Sequence, residues 1–272
     1  MSYYDFSEDG KECIIKRYDT PVPWMNLLSN DRFVAWVSHN GNIIESCLIN
    51  NRMNRLTNPK SGYVYVRDSD TGEYFMLNKP KNCASWQSIQ GLGYTSVISS
   101  HLNLVVKATY FVPRDDDILI WMIKIRNNKN NDRNIDIFSV VEWCLGDVNY
   151  FTVLPGGDFY GIYNNFKKVS FENDILYASN YSWGTLGPFQ GQKVWPYIGF
   201  FSSNLPVKSF ECDKALFFGR ARGVENPVAV ENGICTNKSA FGFTDFPLGV
   251  LHNSIRLESG EEKKFVMNAE EM

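Results

Sequence analysis

Three consecutive carboxylates, Asp115, Asp116 and Asp117, form the densest acidic cluster in the chain. Glycoside hydrolysis needs two carboxyl groups held about 5 to 9.5 Å apart across the scissile bond. Here the three sit between Pro113 and Ile118, where one apolar segment gives way to the next, so a solvated turn is expected rather than an acid and base pair. A second run, Asp68-Ser69-Asp70-Thr71-Gly72-Glu73, offers oxygen ligands but lacks the full spacing of a calcium loop and also reads as a turn. His39, His101 and His252 each stand apart from any cysteine or carboxylate at ligand spacing, and structural roles are expected for all three. A Ser-His-Asp set is open from the residues alone, although no Gly-x-Ser-x-Gly elbow marks a nucleophile. Gly91-Leu92-Gly93 and Gly156-Gly157 are not followed by the βαβ unit that a nucleotide site needs.

Carbohydrate binding fits the residue types better, because sugars are held by aromatic faces with amides, carboxylates and guanidinium groups beside them. Trp24, Trp36, Trp86, Trp183 and Trp195 are available, though tryptophan in a β-rich chain more often fills the core. The segment Ser182 to Pro196 mixes aromatics, amides and glycines, and with Asn78 to Gly93 it is expected to form a long loop of functional character.

Such residues need a scaffold, and the composition narrows what it is. The chain has 272 residues, with 44% hydrophobic, 15% aromatic and 21% charged residues, 20 glycines and 11 prolines, which fits one globular domain over 1–272 rich in strands and turns. A net charge of −3 and a pI near 5.7 give no basic field for nucleic acid. The purely apolar stretch Ile118 to Ile123 is too short to span a membrane, and the polar start Met1 to Lys11 has no secretory h-region. Six cysteines at wide spacings, without a CxxC pair, are expected as reduced thiols in the cytoplasm, with Cys144 buried.

Period-2 runs rich in β-branched and aromatic residues predict strands at Phe33 to Ser38, Tyr63 to Arg67, Tyr94 to Ser99, Leu104 to Val112, Ile118 to Arg126 and Ile135 to Leu145. Further ones are expected at Val169 to Phe171, Ile175 to Ser179, Ile198 to Ser202, Val250 to Leu257 and Lys263 to Met267. No apolar 3.6-residue period persists long enough to demand a helix. Turn chemistry marks Asn40-Gly41, Pro113 to Asp117 and Glu172 to Asp174, and Asn127 to Arg133 is expected as a hairpin tip. Phe138 and Val140 break the alternation of their strand, which suggests cover on both of its faces.

Several segments, in order, resemble the N-terminal domain of glycoside hydrolase family 94, the cellobiose phosphorylase-like glycoside phosphorylases. They include Tyr4-Asp5-Phe6, Asp19-Thr20-Pro21-Val22-Pro23-Trp24, Arg52-Met53-Asn54-Arg55-Leu56-Thr57, Gly91-Leu92-Gly93-Tyr94-Thr95, Phe138 to Leu145, Asn226-Pro227-Val228 and Leu257-Glu258-Ser259-Gly260-Glu261. The resemblance implies an all-β fold, a large two-sheet antiparallel β-sandwich (a super-sandwich, galactose mutarotase-like), without the (α/α)6 barrel that carries the catalytic acid. It implies phosphorolysis of β-linked gluco-oligosaccharides to α-glucose 1-phosphate, with inorganic phosphate as co-substrate and no metal or organic cofactor.

No catalytic residue is carried over onto this chain. The strand at Lys263 to Met267 lies where such enzymes leave the sandwich for their linker. The expected partners are therefore a separate barrel-bearing catalytic chain, in a hetero-oligomer, and a second copy of the sandwich. A family loop that approaches the active site of the neighbouring subunit maps to Gly146 through Phe166. Asn149, Tyr163 and Asn165 are its candidate pocket residues, beside Arg52 and Arg55, for which an ion pair competes with a sugar contact. The alternatives are a stand-alone carbohydrate-binding module and an independent hydrolase.

Overall fold

The computed structural model describes residues 2–49, 52–58, 61–79, 83–147, 167–180, 198–241 and 247–271. Its strands, in chain order, are β1 (Tyr4–Phe6), β2 (Glu12–Ile15), β3 (Met25–Ser29), β4 (Phe33–Ser38), β5 (Ile43–Ile49), β6 (Arg52–Thr57) and β7 (Tyr63–Asp68). There follow β8 (Tyr74–Met76), β9 (Ser85–Gly91), β10 (Tyr94–His101), β11 (Leu104–Phe111), β12 (Ile118–Asn127), β13 (Arg133–Val141) and β14 (Trp143–Asp147). Next come β15 (Lys167–Glu172), β16 (Ile175–Asn180), β17 (Ile198–Ser203) and β18 (Val207–Asp213), then α1 (Lys214–Phe218) and α2 (Val228–Asn232). The series closes with β19 (Ala240–Phe241), β20 (Pro247–Leu257) and β21 (Glu262–Glu271).

One layer is an 11-stranded sheet in the order β1-β2-β9-β10-β11-β12-β21-β17-β16-β15-β19. Two five-stranded sheets, β18-β20-β13-β7-β8 and β14-β6-β5-β4-β3, face it across the core. All pairings between the strands are antiparallel. Strict alternation explains why β12 buries one face: Leu119, Trp121, Ile123 and Ile125 are fully buried, and the residues between them are half-buried. Burying side chains of this size contributes about 1.5–3 kcal/mol each, upper values because unfolded chains already hide part of their surface.

The sheet β18-β20-β13-β7-β8 is covered on both faces, which accounts for the broken alternation of β13. Ile135, Ile137 and Val141 enter the main core, whereas Phe138 and Val140 join a second core with Tyr63, Tyr65, Phe217, Phe218 and Val230. The cover on that side is a pair of five-residue helices, so the expectation of no helix is corrected. Asp213 caps α1 by accepting the Ala215 N–H at 2.8 Å, and Gly233, in the left-handed region, ends α2. Helices this short leave no periodic signature in sequence.

Three further expectations change. Asn127 to Arg133 is not a hairpin tip, because β12 pairs with β11 and β21 while β13 pairs with β7 and β20. The chain there crosses from one layer to the other. Asn127 fixes the crossing: its side-chain amide donates to Asn131 O at 2.8 Å and Glu258 O at 3.0 Å, and its Oδ1 accepts Lys129 N–H at 3.0 Å. Asn78 to Gly93 is not one loop, since Ser85–Gly91 pairs with both β2 and β10. Ile135 to Leu145 is two strands, β13 and β14, which lie in different sheets on either side of Glu142. The expected turns at Pro113 to Asp117 and Glu172 to Asp174 do join paired strands; Asn173 and Asp174 both take positive φ, as a tight hairpin requires. Gly41, with φ 80°, turns β4 into β5.

Candidate functional site: the outer face of β3 to β6

Strand parity decides what the sheet β14-β6-β5-β4-β3 shows to solvent. Leu28, Phe33, Ala35, Val37, Ile43, Cys47 and Leu56 point into the core, with buried Glu45 on the same side, and the residues of opposite parity point away. On the outward side Leu27 lies opposite Trp36 and Trp36 opposite Ile44, forming a cross-strand row. The next row holds Val34 opposite Ser46 and Ser46 opposite Arg55. Trp36 is 43% exposed, whereas Trp86, Trp121 and Trp143 are buried and Trp24 is half-buried against Tyr4, 5.2 Å between ring centroids. Among the described tryptophans Trp36 is therefore the one with an open face.

Arg55, half-buried, is also opposite Gly146 of β14, and Asn54 is opposite Asp147. Arg55 thus lies beside β14, the strand that precedes Asn149, Tyr163 and Asn165 in the sequence. Those three residues lie outside the described residues, as do Trp183, Trp195 and the loop 182–196. Arg52 opens β6 opposite Ile49.

The floor beneath β14 is tightly packed. Trp143 is buried between layers, and a methyl group placed on Gly199 or Gly249 would approach its ring to 2.7 or 2.9 Å. Two glycines thus let the indole pass between β17 and β20. Glu142, at the joint between β13 and β14, pairs with Lys214 at 2.9 Å, accepts the Asn58 N–H through its carbonyl at 2.8 Å and donates its own N–H to Ser61 Oγ at 2.9 Å.

A buried polar cluster lies elsewhere, on the helix-covered side of the other five-stranded sheet. Asp136 accepts from Ser254 Oγ at 2.5 Å, Ser69 Oγ at 2.7 Å and Lys208 Nζ at 3.0 Å, with Arg67 at 3.4 Å. His252 Nε2 stands 3.1 Å from the same carboxylate without a well-aligned hydrogen bond, and its Nδ1 meets Ser209 Oγ at 2.7 Å. Ser209 Oγ accepts the Cys235 N–H at 3.1 Å, which leaves its proton for His252. Burial would raise the Asp136 pKa, but the close approach of His252 and the bonds from Ser254, Ser69 and Lys208 outweigh it and hold the carboxyl well below its usual range. Burial pushes His252 down, only partly offset by Asp136, so the imidazole is neutral near pH 7.

The order Ser209, His252, Asp136 imitates a nucleophilic triad, yet Ser209 is 3% exposed and His252 fully buried, so no substrate reaches the hydroxyl. The cluster is a brace across β7, β13, β18 and β20. His252, expected as isolated, is paired through a long-range contact that spacing could not reveal. Asp68 likewise serves structure: its Oδ2 takes the Arg133 guanidinium at 2.5 and 3.0 Å, and its Oδ1 caps the turn through Asp70 N–H at 2.9 Å. Among the described residues no group of three or more His, Cys, Asp or Glu is arranged to hold a metal.

An 11-stranded antiparallel sheet facing two five-stranded ones defines a super-sandwich. The chain belongs to the family Glycosyl hydrolase 94, supersandwich domain, whose model matches residues 11–269. It is 28% identical over 277 residues to N,N'-diacetylchitobiose phosphorylase of Vibrio proteolyticus, covering 97% of this chain and 33% of that protein. It is 25% identical to solabiose phosphorylase of Paenibacillus borealis, covering 95% and 33%. The chain therefore spans about a third of the length of these curated relatives. A solved putative kojibiose phosphorylase from the human microbiome shares the fold, with a TM-score of 0.51 at 10% identity over 99% of this chain and 33% of that one.

Proposed function

We propose that this sandwich is the non-catalytic module of an inverting glycoside phosphorylase, working with an (α/α)6 barrel on a partner chain that carries the acid and the phosphate site. The observation that supports a phosphorylase module is the family match over 11–269, with phosphorylases among the relatives it resembles. In the complete reaction phosphate oxygen bonds to the anomeric carbon while an acid of the barrel protonates the departing glycosidic oxygen. The products are an inverted sugar 1-phosphate and the shortened saccharide. No cofactor is required.

The relatives' names specify diacetylchitobiose, solabiose and a glucosyl-glucuronide, so phosphorolysis is their common theme and the sugar is not. For this chain a β-gluco-oligosaccharide is the proposed substrate class, and a second copy of the sandwich an additional partner. Six free cysteines suit a cytoplasmic setting, and no described helix is long and apolar enough to cross a membrane.

In this assembly the face with Trp36 and Arg55, with the loop carrying Asn149, Tyr163 and Asn165, is the outer wall of the sugar pocket and contributes positioning and water exclusion. Co-purification with a candidate barrel chain, followed by sugar 1-phosphate release, tests the reading. Full activity of the barrel without the sandwich, with no complex formed, would refute it. In the active complex Arg55→Ala should raise KM about tenfold with kcat little changed, because the guanidinium does not touch the reacting atoms. An unmoved KM would assign Arg55 to structure alone.

A further inference from the structure

A pocket of about 200 Å³ opens at the short edge strand β8, built from residues other than those of the Trp36 and Arg55 face. Three segments distant in sequence converge on it: Tyr74, Phe75, Met76 and Lys79 from β8 and its continuation, His101 from the end of β10, and Glu225 from the connection between α1 and α2. Phe75 and Met76, 4% and 7% exposed, point to opposite faces of β8, Phe75 into the main core and Met76 into the second, so each leaves only an apolar edge at the pocket. His101 stands edge-on to Phe75, with ring centroids 5.0 Å apart at 89°. Two consecutive left-handed residues, Leu102 and Asn103, make the tight turn that holds it there.

The rim is polar and already organised. Lys79 Nζ pairs with Glu225 Oε1 at 2.5 Å across the mouth, both side chains reaching solvent. Tyr74 donates from its hydroxyl to Glu231 at 3.4 Å, and Glu231 is itself fixed by Arg222 at 2.5 Å. The His101 side chain makes no hydrogen bond to another described residue, and burial lowers its pKa, partly offset by Glu73, so near pH 7 the ring offers one N–H donor and one nitrogen acceptor.

This combination selects a ligand. A simple anion would find Lys79 neutralised by Glu225 and His101 uncharged. A wholly apolar ligand would strip water from the ion pair without replacing its hydrogen bonds. A sugar ring carries C–H groups that suit the narrow apolar edges of Phe75 and Met76 and a girdle of hydroxyls that both donate and accept for the rim. The volume lies below the ~300–1,000 Å³ of sites for drug-sized molecules, a scale suited to one ring.

We propose that this pocket binds a single sugar ring of a saccharide as a non-catalytic anchoring site, separate from any pocket completed by a barrel. The proposal does not require the phosphorylase reading, since the 272-residue chain alone should bind.

Titrating that chain with methyl β-glucoside and with cellobiose, followed by calorimetry and NMR shifts, should give saturable binding with a dissociation constant on the order of a few mM. Glu225→Gln and Tyr74→Ala should each weaken it about tenfold. Trp36→Ala, on the other face, should leave it unchanged, and acetate at equal concentration should not compete. Circular dichroism of Glu225→Gln, a change on an exposed rim, checks that the fold is kept. Absence of saturable binding for both sugars, loss of binding through Trp36→Ala but not through the pocket variants, or displacement by acetate would each overturn the proposal. Failure of barrel complementation alone would not touch it.

Discussion

Replacing Asp136 by alanine should destabilise the protein by about 3–5 kcal/mol, because it leaves Lys208, Arg67 and the donors Ser69 and Ser254 facing a buried gap with no anion. The loss should appear as a lower urea midpoint at unchanged slope. A change below 1 kcal/mol would show that water replaces the carboxylate and that the brace is dispensable. The same cluster sets an acid limit in two steps. The folded pKa of His252 lies below its ordinary 6.5, so the unfolded chain takes up a proton first and stability falls as pH drops below about 6.5. His39 and His101 are shifted the same way by burial and add to the slope, each by up to about 1.4 kcal/mol per pH unit. The folded pKa of Asp136 is depressed too, so its contribution is complete above its ordinary 3.8 and is lost as pH falls below that. His252→Gln should flatten the first step, and unfolding measured from pH 7.5 to 5.0 will show whether one proton's worth of slope disappears.

Arg133→Met is the second severe case. Both partners of the Arg133 and Asp68 pair are 2% exposed, and removing the cation strands a carboxylate in the interior, again at about 3–5 kcal/mol. Arg133 also donates from Nη1 to Leu102 O at 2.9 Å, so it ties β7 and β13 to the β10–β11 turn in the opposite layer. Hydrogen exchange at residues 101–104 should therefore accelerate in the variant, beyond any global change. The double variant Arg133→Met with Asp68→Asn should recover part of the loss, since the stranded charge is gone. If the double variant is no better than the single one, repulsion from buried charge is not the cause and the lost tie to Leu102 carries the effect.

What the sequence disclosed follows from how local the information was. β12 alternates cleanly because one face meets the core and the other does not, β10 and β11 do so over part of their length, and the bounds of all three are read to within two residues. Strands such as β6, with Arg55 and a buried Asn54, and β9, with Gln87 and a buried Ser88, mix polar side chains among apolar ones and look like loops. The mistaken hairpin at Asn127 to Arg133 has a similar origin. Turn residues announce that a chain reverses, but not which strand it will pair with. His252 and Asp136 meet only because β13 and β20 are neighbours in register, Phe138 opposite His252, and nothing near either residue in sequence encodes that. For the candidate face, the family resemblance pointed to β6 and the following loop, whereas the open face of Trp36 needed the strand parity of the folded sheet.

The place of β21 has a consequence for how the chain is made. In the largest sheet it sits between β12 and β17, pairing Trp121 with Met267 on one side and Phe201 with Ala269 on the other. Every other strand of that sheet precedes it in the chain. During synthesis the half from β1 to β12 and the half from β19 to β17 each emerge with a long, apolar, unpaired border, and neither can close against the other until residues 262–271 leave the ribosome. Such borders are templates for pairing with other nascent copies. In the interval before β21 arrives the sandwich is exposed to aggregation, and β21 acts as the keystone that ends it.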